Sequence, residues 1–266
     1  MSGPAIEFVD SPAAGAALAA ERIARALQDA VRARGRADWA TSGGSTPVGI
    51  YQHLSAPPLV DAIPWAGVHV WWGDDRYVPR DHPASNVKAF DDIMLAASAD
   101  EEGTAGTNGG RAIPLENLHP FLSGEAIGAE RGAASVAAAL SDELRAAPLD
   151  QVDGWPVFDL IIVGVGADGH VLSVFPGSAA LDSDQLALAI PAPTHIQPHL
   201  ERVTLNPAVL GVAREVLVAA FGADKAPVLA NVLGPERDPR RWPAQLAARD
   251  GATWILDTAS AAQLDR

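Results

Sequence analysis

The chain has 266 residues, no cysteine and a formal net charge of −14. The lack of cysteine excludes disulfides, thiolate metal sites and cysteine nucleophiles. The acidic charge argues against nucleic acid as a partner, because a nucleic-acid-binding face needs basic groups to neutralise phosphates. No basic leader followed by an apolar core and no apolar run of about 20 residues occurs, so we expect a cytoplasmic protein without a membrane partner.

Helices and strands alternate in the first half of the chain. Ser11 followed by Pro12 predicts a helix start, with a capping hydroxyl and a proline at the first helical position. That helix runs to about Arg34. The elements predicted after it are a strand over 37–41, a helix over 46–54, a strand over 68–72, a helix over 86–97, a mobile surface loop over 98–111 and an alanine-rich helix over 125–147.

The second half continues the alternation without a break in composition. Its predicted elements are a strand over 158–163, a brief helix after Gly169, a strand over 186–190, a loop over 191–198, a helix over 206–212, a strand over 215–220, a helix over 224–233, a strand over 253–256 and a short tail helix. This order predicts one α/β domain spanning residues 1–266. We expect a mainly parallel, twisted, Rossmann-like sheet flanked by helices on both faces.

Ser42-Gly43-Gly44-Ser45-Thr46-Pro47 lies between a predicted strand and a predicted helix. The glycines let the backbone approach an anion, while Ser42, Ser45, Thr46 and the helix N–H groups can donate to it. The segment also fits an ordinary turn with Thr46 as the cap and Pro47 just inside the helix. Both interpretations stay open, but no Gly-Lys-Ser/Thr follows, which disfavours a nucleotide triphosphate site.

Gly73-Asp74-Asp75-Arg76-Tyr77 follows the predicted strand over 68–72. Asp74 and Arg76 at a strand's carboxyl end could bind sugar hydroxyls and stabilise a developing negative charge. A solvated ion-pair turn is the alternative. The position at the carboxyl end of a buried strand favours function, since open α/β sheets bind ligands there.

Gly164-Val-Gly-Ala-Asp-Gly-His170 places Asp168 two positions before His170, a carboxylate beside a group suited to proton transfer. A histidine that only caps a helix is the alternative. The segment also spells the dinucleotide pattern G-x-G-x-x-G. Pro176-Gly177 cuts the following helix short and the next strand ends without an acid, so we expect no nicotinamide and no other cofactor.

Arg202 and Lys225 are isolated cations that could either face a phosphate or form surface ion pairs. His195 and His199 are four residues apart. Pro198 lies between them and breaks the helix that would align them as metal ligands, so we expect no metal.

Six segments in this order resemble the 6-phosphogluconolactonase family, which is related to the glucosamine-6-phosphate deaminases: 42–47, 72–79, Ser85-Asn86, 164–170 with 173–177, 202–205 and 222–226. The resemblance implies a deaminase/lactonase-type fold without cofactor. It also implies hydrolysis of the δ-lactone of 6-phosphogluconate in the oxidative pentose phosphate pathway. The expected partner is therefore a sugar-phosphate lactone, and the expected state is a monomer or small homo-oligomer.

The resemblance also implies roles for individual residues. His170 takes the proton from the attacking water, Asp168 holds its imidazole or binds the substrate, and Arg76 stabilises the oxyanion or binds the sugar-acid end. The 6-phosphate rests on residues 43–46 with Arg202 and Lys225. The expected substrate-binding set is Ser42, Gly43, Gly44, Ser45, Thr46, Asp74, Asn86, Gly166, Arg202 and Lys225.

The alternatives to lactone hydrolysis are glucosamine-6-phosphate deamination and non-catalytic binding of a sugar phosphate by a regulator. Glucosamine-6-phosphate deaminases typically carry tyrosine where Arg76 stands and a glutamate-containing segment where 173–177 stands, which disfavours that chemistry. A non-catalytic sugar-phosphate-binding regulator is usually fused to a DNA-binding segment. The residues before Ile6 are too few for such a segment, and we expect no basic face.

Overall fold

The computed structural model describes residues 3–95 and 113–264. The predicted loop over 98–111 lies outside them. The strands, in chain order, are β1 (Ala5–Val9), β2 (Ala37–Thr41), β3 (Val68–Trp72), β4 (Asp74–Arg76), β5 (Leu118–His119), β6 (Gln151–Val152), β7 (Trp155–Pro156), β8 (Leu160–Val163), β9 (Ala187–Ile190), β10 (Arg202–Leu205), β11 (Glu215–Ala220) and β12 (Ala252–Asp257).

In this part of the chain, seven strands form a central sheet in the order β1-β12-β11-β8-β2-β3-β5. Every neighbouring pair in it is parallel. The predicted mainly parallel α/β fold is therefore confirmed. From β2 the chain continues outward through β3 to β5, whereas from β8 it continues the other way through β11 to β12. The loops after β2 and β8 consequently flank the point where the strand order reverses, and a ligand crevice forms at such a point.

A second, three-stranded sheet lies beyond the carboxyl end of β3. It is antiparallel, in the order β4-β10-β9, and its register places Arg202 opposite Arg76. The sequence did not predict β1, β4 or β10, nor the two-residue strands β5, β6 and β7. A charged triplet such as β4 carries no apolar pattern and becomes a strand only through pairing with β10.

The helices are α1 (Pro12–Arg34), α2 (Ser45–Leu54), α3 (Leu59–Ala62), α4 (Asn86–Phe90, continued by a π-helical turn Asp91–Leu95), α5 (Ser123–Gly128), α6 (Ala133–Ala146), α7 (Val209–Val212) and α8 (Ala226–Val232). α1 has the predicted start, since the Ser11 hydroxyl accepts a hydrogen bond from the Ala14 N–H. It ends at Gly35, whose φ of 75° is easily adopted only by glycine. Ala19, Ile23 and Leu27 of α1 are fully buried in the core.

Three helix predictions were wrong in detail. The expected helix over 125–147 is two helices, separated by a turn in which Glu130 has a φ of 53°. No helix follows Gly169, where a turn and an isolated bridge between Val171 and Val174 occur instead. Residues 258–264 form turns rather than a tail helix. None of the described helices is long and apolar enough to cross a membrane.

Candidate active site

A cleft of about 380 Å³ opens at the carboxyl ends of β2, β3, β8 and β11. That volume is within the usual range for a small-molecule site, which is about 300–1,000 Å³. The predicted site residues that line the cleft are Ser42, Gly43, Gly44, Ser45, Thr46, Asp74, Arg76, Asn86, Gly166, His170, Arg202 and Lys225. Asp168 is the one predicted site residue outside the lining, and it contacts His170 from behind. Parallel strands thus deliver motifs that are far apart in sequence to one place.

The glycine-rich loop after β2 approaches its neighbours closely. A Cβ atom on Gly43 would lie 1.9 Å from Asn86 Oδ1, and Gly44 has a φ of 96°. α2 begins directly after Gly44 without a side-chain cap, so its first N–H groups are not covered by a serine or threonine side chain of the loop. Tyr51 fixes the loop from below by donating to the Ser42 carbonyl at 2.8 Å. The loop therefore presents backbone donors to the cleft.

The side chain of Asn86 ties the β3–β4 turn together. Its Oδ1 accepts a hydrogen bond from Arg76 Nη1 at 2.9 Å, and its Nδ2 donates to the Asp74 carbonyl at 2.8 Å. Asp74 in turn accepts a hydrogen bond from the Ser173 hydroxyl. Both ends of the Asn86 amide are thus engaged by the protein, which holds Arg76 in one position over the cleft.

Asp75, the second acid of this turn, does not line the cleft. It is buried and accepts hydrogen bonds from the Asn86 N–H at 2.6 Å and the Ser85 hydroxyl at 2.9 Å. Burial raises the pKa of Asp75 to about 6, although these hydrogen bonds partly oppose the rise. Asp75 therefore supports the turn that carries Arg76.

Two guanidinium groups lie side by side in the cleft. Arg202 is only 4% exposed and is the register partner of Arg76 across β4 and β10. Burial, and then the nearby charge of Arg76, lowers the pKa of Arg202. The Nε atoms of both arginines are buried and have no hydrogen-bond partner among the residues that the structure describes. Since buried donors of this kind are normally paired, the arrangement fits an anionic ligand, despite the net charge of −14.

Asp168 and His170 form a hydrogen-bonded pair in the turn after β8. His170 Nδ1 lies 2.5 Å from Asp168 Oδ1, which also accepts from the His170 backbone N–H at 3.1 Å. Burial acts to raise the pKa of Asp168, but its hydrogen bonds with His170 and His195 hold it well below the usual range. The carboxylate is therefore ionised and accepts the Nδ1 proton. This leaves His170 Nε2 as the nitrogen free to act as a base.

The sequence analysis missed the contact that His195 makes. His195 Nε2 lies 2.8 Å from Asp168 Oδ2, although the two residues are 27 positions apart. Histidine spacing could not have indicated this contact, because the loop between β9 and β10 creates it. In the described ranges, no cluster of three or more histidine, aspartate or glutamate side chains could hold a metal ion.

Comparisons with known proteins cover nearly the whole chain. A family model described as glucosamine-6-phosphate isomerases/6-phosphogluconolactonase matches residues 10–255. The chain is 33% identical to the 6-phosphogluconolactonase of Synechocystis sp. over 234 residues, covering 87% of this chain and 86% of that protein. It is 32% identical to the 6-phosphogluconolactonase of Mycobacterium tuberculosis over 250 residues, covering 93% of each.

Two solved structures are similar in fold to this chain. The 6-phosphogluconolactonase of Trypanosoma brucei superposes with a TM-score of 0.81 at 26% identity, covering 98% of this chain and 99% of the other. A monomeric glucosamine-6-phosphate deaminase has the same fold, with a TM-score of 0.69 at 15% identity and coverage of 97% and 99%.

Proposed function

The chain belongs to the glucosamine-6-phosphate isomerase/6-phosphogluconolactonase family, and we propose that it hydrolyses 6-phospho-D-glucono-1,5-lactone to 6-phosphogluconate in the oxidative pentose phosphate pathway. One observation carries the proposal: the Asp168–His170 pair lies at the same cleft as the buried Arg202 and its half-buried neighbour Arg76. Such a site combines a base with groups that bind a negatively charged substrate.

The proposed reaction needs no covalent intermediate and no metal, because a lactone is an ester already reactive toward water. His170 Nε2 takes a proton from water as the water oxygen attacks the lactone carbonyl carbon. The carbonyl oxygen becomes an oxyanion, which Arg76 stabilises. When the bond from the carbonyl carbon to the ring oxygen breaks, the ring oxygen takes the proton back from His170. The products are a free hydroxyl and a carboxylic acid, which ionises.

The 6-phosphate is assigned to residues 43–46, with Arg202 and Lys225 supplying positive charge. Two features support this assignment. The N-terminal N–H groups of α2 lie at the cleft without a side-chain cap, and the buried Nε of Arg202 has no hydrogen-bond partner within the described ranges. Lys225 Nζ lies 3.4 Å from the Asp224 carboxylate at the cleft wall. Local cations and helix-end donors thereby outweigh the more distant, screened acids.

Lactonase chemistry is favoured over its two alternatives. The relatives at 30–33% identity include the 6-phosphogluconolactonases of Synechocystis sp. and Mycobacterium tuberculosis and a human protein named GDH/6PGL endoplasmic bifunctional protein, whereas the deaminase shares 15% identity. Arg76, at the position where the deaminases typically carry tyrosine, points the same way. A binding-only regulator would not need the ordered Asp168–His170 pair.

The proposal also includes one domain over residues 1–266, a cytoplasmic location, no nucleic-acid partner, and a monomer or small homo-oligomer.

The direct test follows acid release from freshly generated 6-phosphogluconolactone, with the spontaneous hydrolysis subtracted. We expect the protein to accelerate hydrolysis and to release no ammonia from glucosamine 6-phosphate. Ammonia release without lactone hydrolysis would identify a deaminase. Sugar-phosphate binding with neither reaction would identify a regulator.

Substitution of Arg202 tests the anion site separately from the chemistry. We expect Arg202→Met to raise KM for the lactone about 10- to 100-fold with a smaller change in kcat, because a hydrogen bond to a charged group contributes about 1.5–3 kcal/mol. The measurement is steady-state kinetics at constant ionic strength. Arg241→Met is the matched control, since Arg241 is exposed and stacks on Trp242 outside the cleft. Equal KM values for the two variants would contradict the assignment.

A further inference from the structure

The turn after β8 over residues 164–170, here called the catalytic turn, carries Asp168 and His170. The loop that joins β9 to β10 holds His195 beside it. His199 Nδ1 lies 2.6 Å from the Pro193 carbonyl, and Arg202 Nη2 donates to the Pro198 carbonyl at 3.2 Å. These two bonds fold the loop back on itself and attach it to β10. The loop therefore delivers the His195 ring to a defined place, although the side chain is half-exposed.

The contact of His195 is with the carboxylate that orients His170. Asp168 uses its two oxygens separately: Oδ1 faces His170 Nδ1 at 2.5 Å, and Oδ2 faces His195 Nε2 at 2.8 Å. With one imidazole on each oxygen, rotation of the carboxylate would break both contacts. Without His195, the carboxylate would be held only through Oδ1, by His170 Nδ1 and the His170 backbone N–H, and Oδ2 would have no contact to fix its orientation.

The ring of Phe175 fills the space between the two imidazoles. Its centre lies 4.8 Å from that of His170 and 5.6 Å from that of His195. On the same ring, the Arg202 guanidinium carbon lies 5.5 Å from the centre. The three polar groups are thus packed around one buried aromatic side chain, which links their positions.

We propose that His195 is a positioning residue for the lactone hydrolysis: by donating to Asp168 Oδ2, it fixes the carboxylate that keeps His170 in its reactive tautomer. The inference rests on the proposed function. His195 does not line the cleft, so it acts through Asp168 rather than on the substrate. Asp168 orients His170, and His195 orients Asp168 in turn. Catalytic groups are commonly held in place by a second layer of hydrogen bonds of this kind.

The neighbouring charges set the direction of the expected pH effect. Arg202 from β10 interacts electrostatically with Asp168, and also with Asp74, Asp75 and Arg76 of β4. Without the His195 donor, the Asp168 carboxylate can turn away from His170 and then stabilises the protonated imidazole less. The acid limb of the kcat/KM profile therefore moves to lower pH.

The test compares His195→Ala and His195→Gln with the wild-type protein. We expect His195→Ala to lower kcat/KM about tenfold at neutral pH, the loss typical of one hydrogen bond to a charged group, and to move the acid limb to lower pH. His195→Gln should restore both, because its amide Nε2 can donate from nearly the same place. His199→Asn is the loop control: its amide Nδ2 can keep the hydrogen bond to the Pro193 carbonyl while the imidazole is lost, so the acid limb should stay in place.

A second readout does not depend on turnover. The ring 15N chemical shifts of His170 in the free protein report the fraction with the proton on Nδ1, which should fall in His195→Ala and recover in His195→Gln. A wild-type pH profile and tautomer in His195→Ala, or a loss of activity that glutamine does not restore, would overturn the positioning role and leave the proposed function intact. If the tautomer changes as expected but the protein does not hydrolyse the lactone, the contact of His195 would still orient Asp168 and the proposed function would be overturned.

Discussion

Replacement of His170 by alanine is expected to lower kcat for 6-phosphogluconolactone at least about a hundredfold, since a positioned general base contributes about 10²–10⁴ to a rate. KM should change little, because Arg76, Arg202 and the glycine-rich loop remain in place. The measurement is the rate of acid release with the spontaneous reaction subtracted. The remaining rate reports what binding and oxyanion stabilisation supply without a base.

Two controls make this result specific. His170→Gln keeps a polar side chain of similar length but supplies no base, so it should lose activity as alanine does. His82→Ala removes an imidazole outside the cleft lining, where it accepts a hydrogen bond from the Ala84 N–H, and should retain activity. Full activity in His170→Ala would leave the lactonase function standing and discard the general-base mechanism.

The buried parallel strands could be predicted because their sequences are mainly apolar. β2, β3 and β11 have the predicted bounds, and a strand buried on both faces has a simple signature. β1 and β4 have no such signature. β1 lies at the sheet edge with exposed Ile6 and Phe8, and β4 is a charged triplet ordered by its pairing with β10. Edge pairing depends on tertiary context that a single sequence does not display.

Part of the candidate site could also be predicted from the sequence. Glycine-rich and charged segments that follow buried parallel strands meet at one edge of the sheet, so the motifs after β2, β3 and β8 could be expected to lie together. The contact of His195 with Asp168 could not, because it depends on how a proline-rich loop between two antiparallel strands folds. The supporting role of Asp75 was equally hidden, since sequence does not reveal which of two adjacent acids turns inward.

The second large effect is expected from a single methyl group at Gly166. A Cβ atom there would lie 2.0 Å from His170 Nδ1, 2.2 Å from His170 Cε1 and 2.7 Å from Asp168 Oδ1. Gly166 also closes the catalytic turn, donating to the His170 carbonyl at 2.9 Å and accepting from the Gly169 N–H at 2.9 Å. Because the backbone is held at both ends, the imidazole has to move. We expect Gly166→Ala to reduce kcat nearly as much as His170→Ala, although every chemical group is still present.

A double-mutant cycle separates this displacement of His170 from general damage to the fold. If the methyl group acts by moving the imidazole, Gly166→Ala should cost little further activity once His170 is alanine, so the two effects should be far from additive. Gly211→Ala is the control for the chemical change itself, because a Cβ atom on Gly211 meets nothing within 4 Å. Its kcat should equal that of the wild type. Additive losses in the cycle would show that Gly166 matters for something other than the position of His170. Non-additive losses would mean that displacing the His170 imidazole by about the size of a methyl group is enough to remove its function as a base. The contacts with Asp168 hold the imidazole against such a displacement.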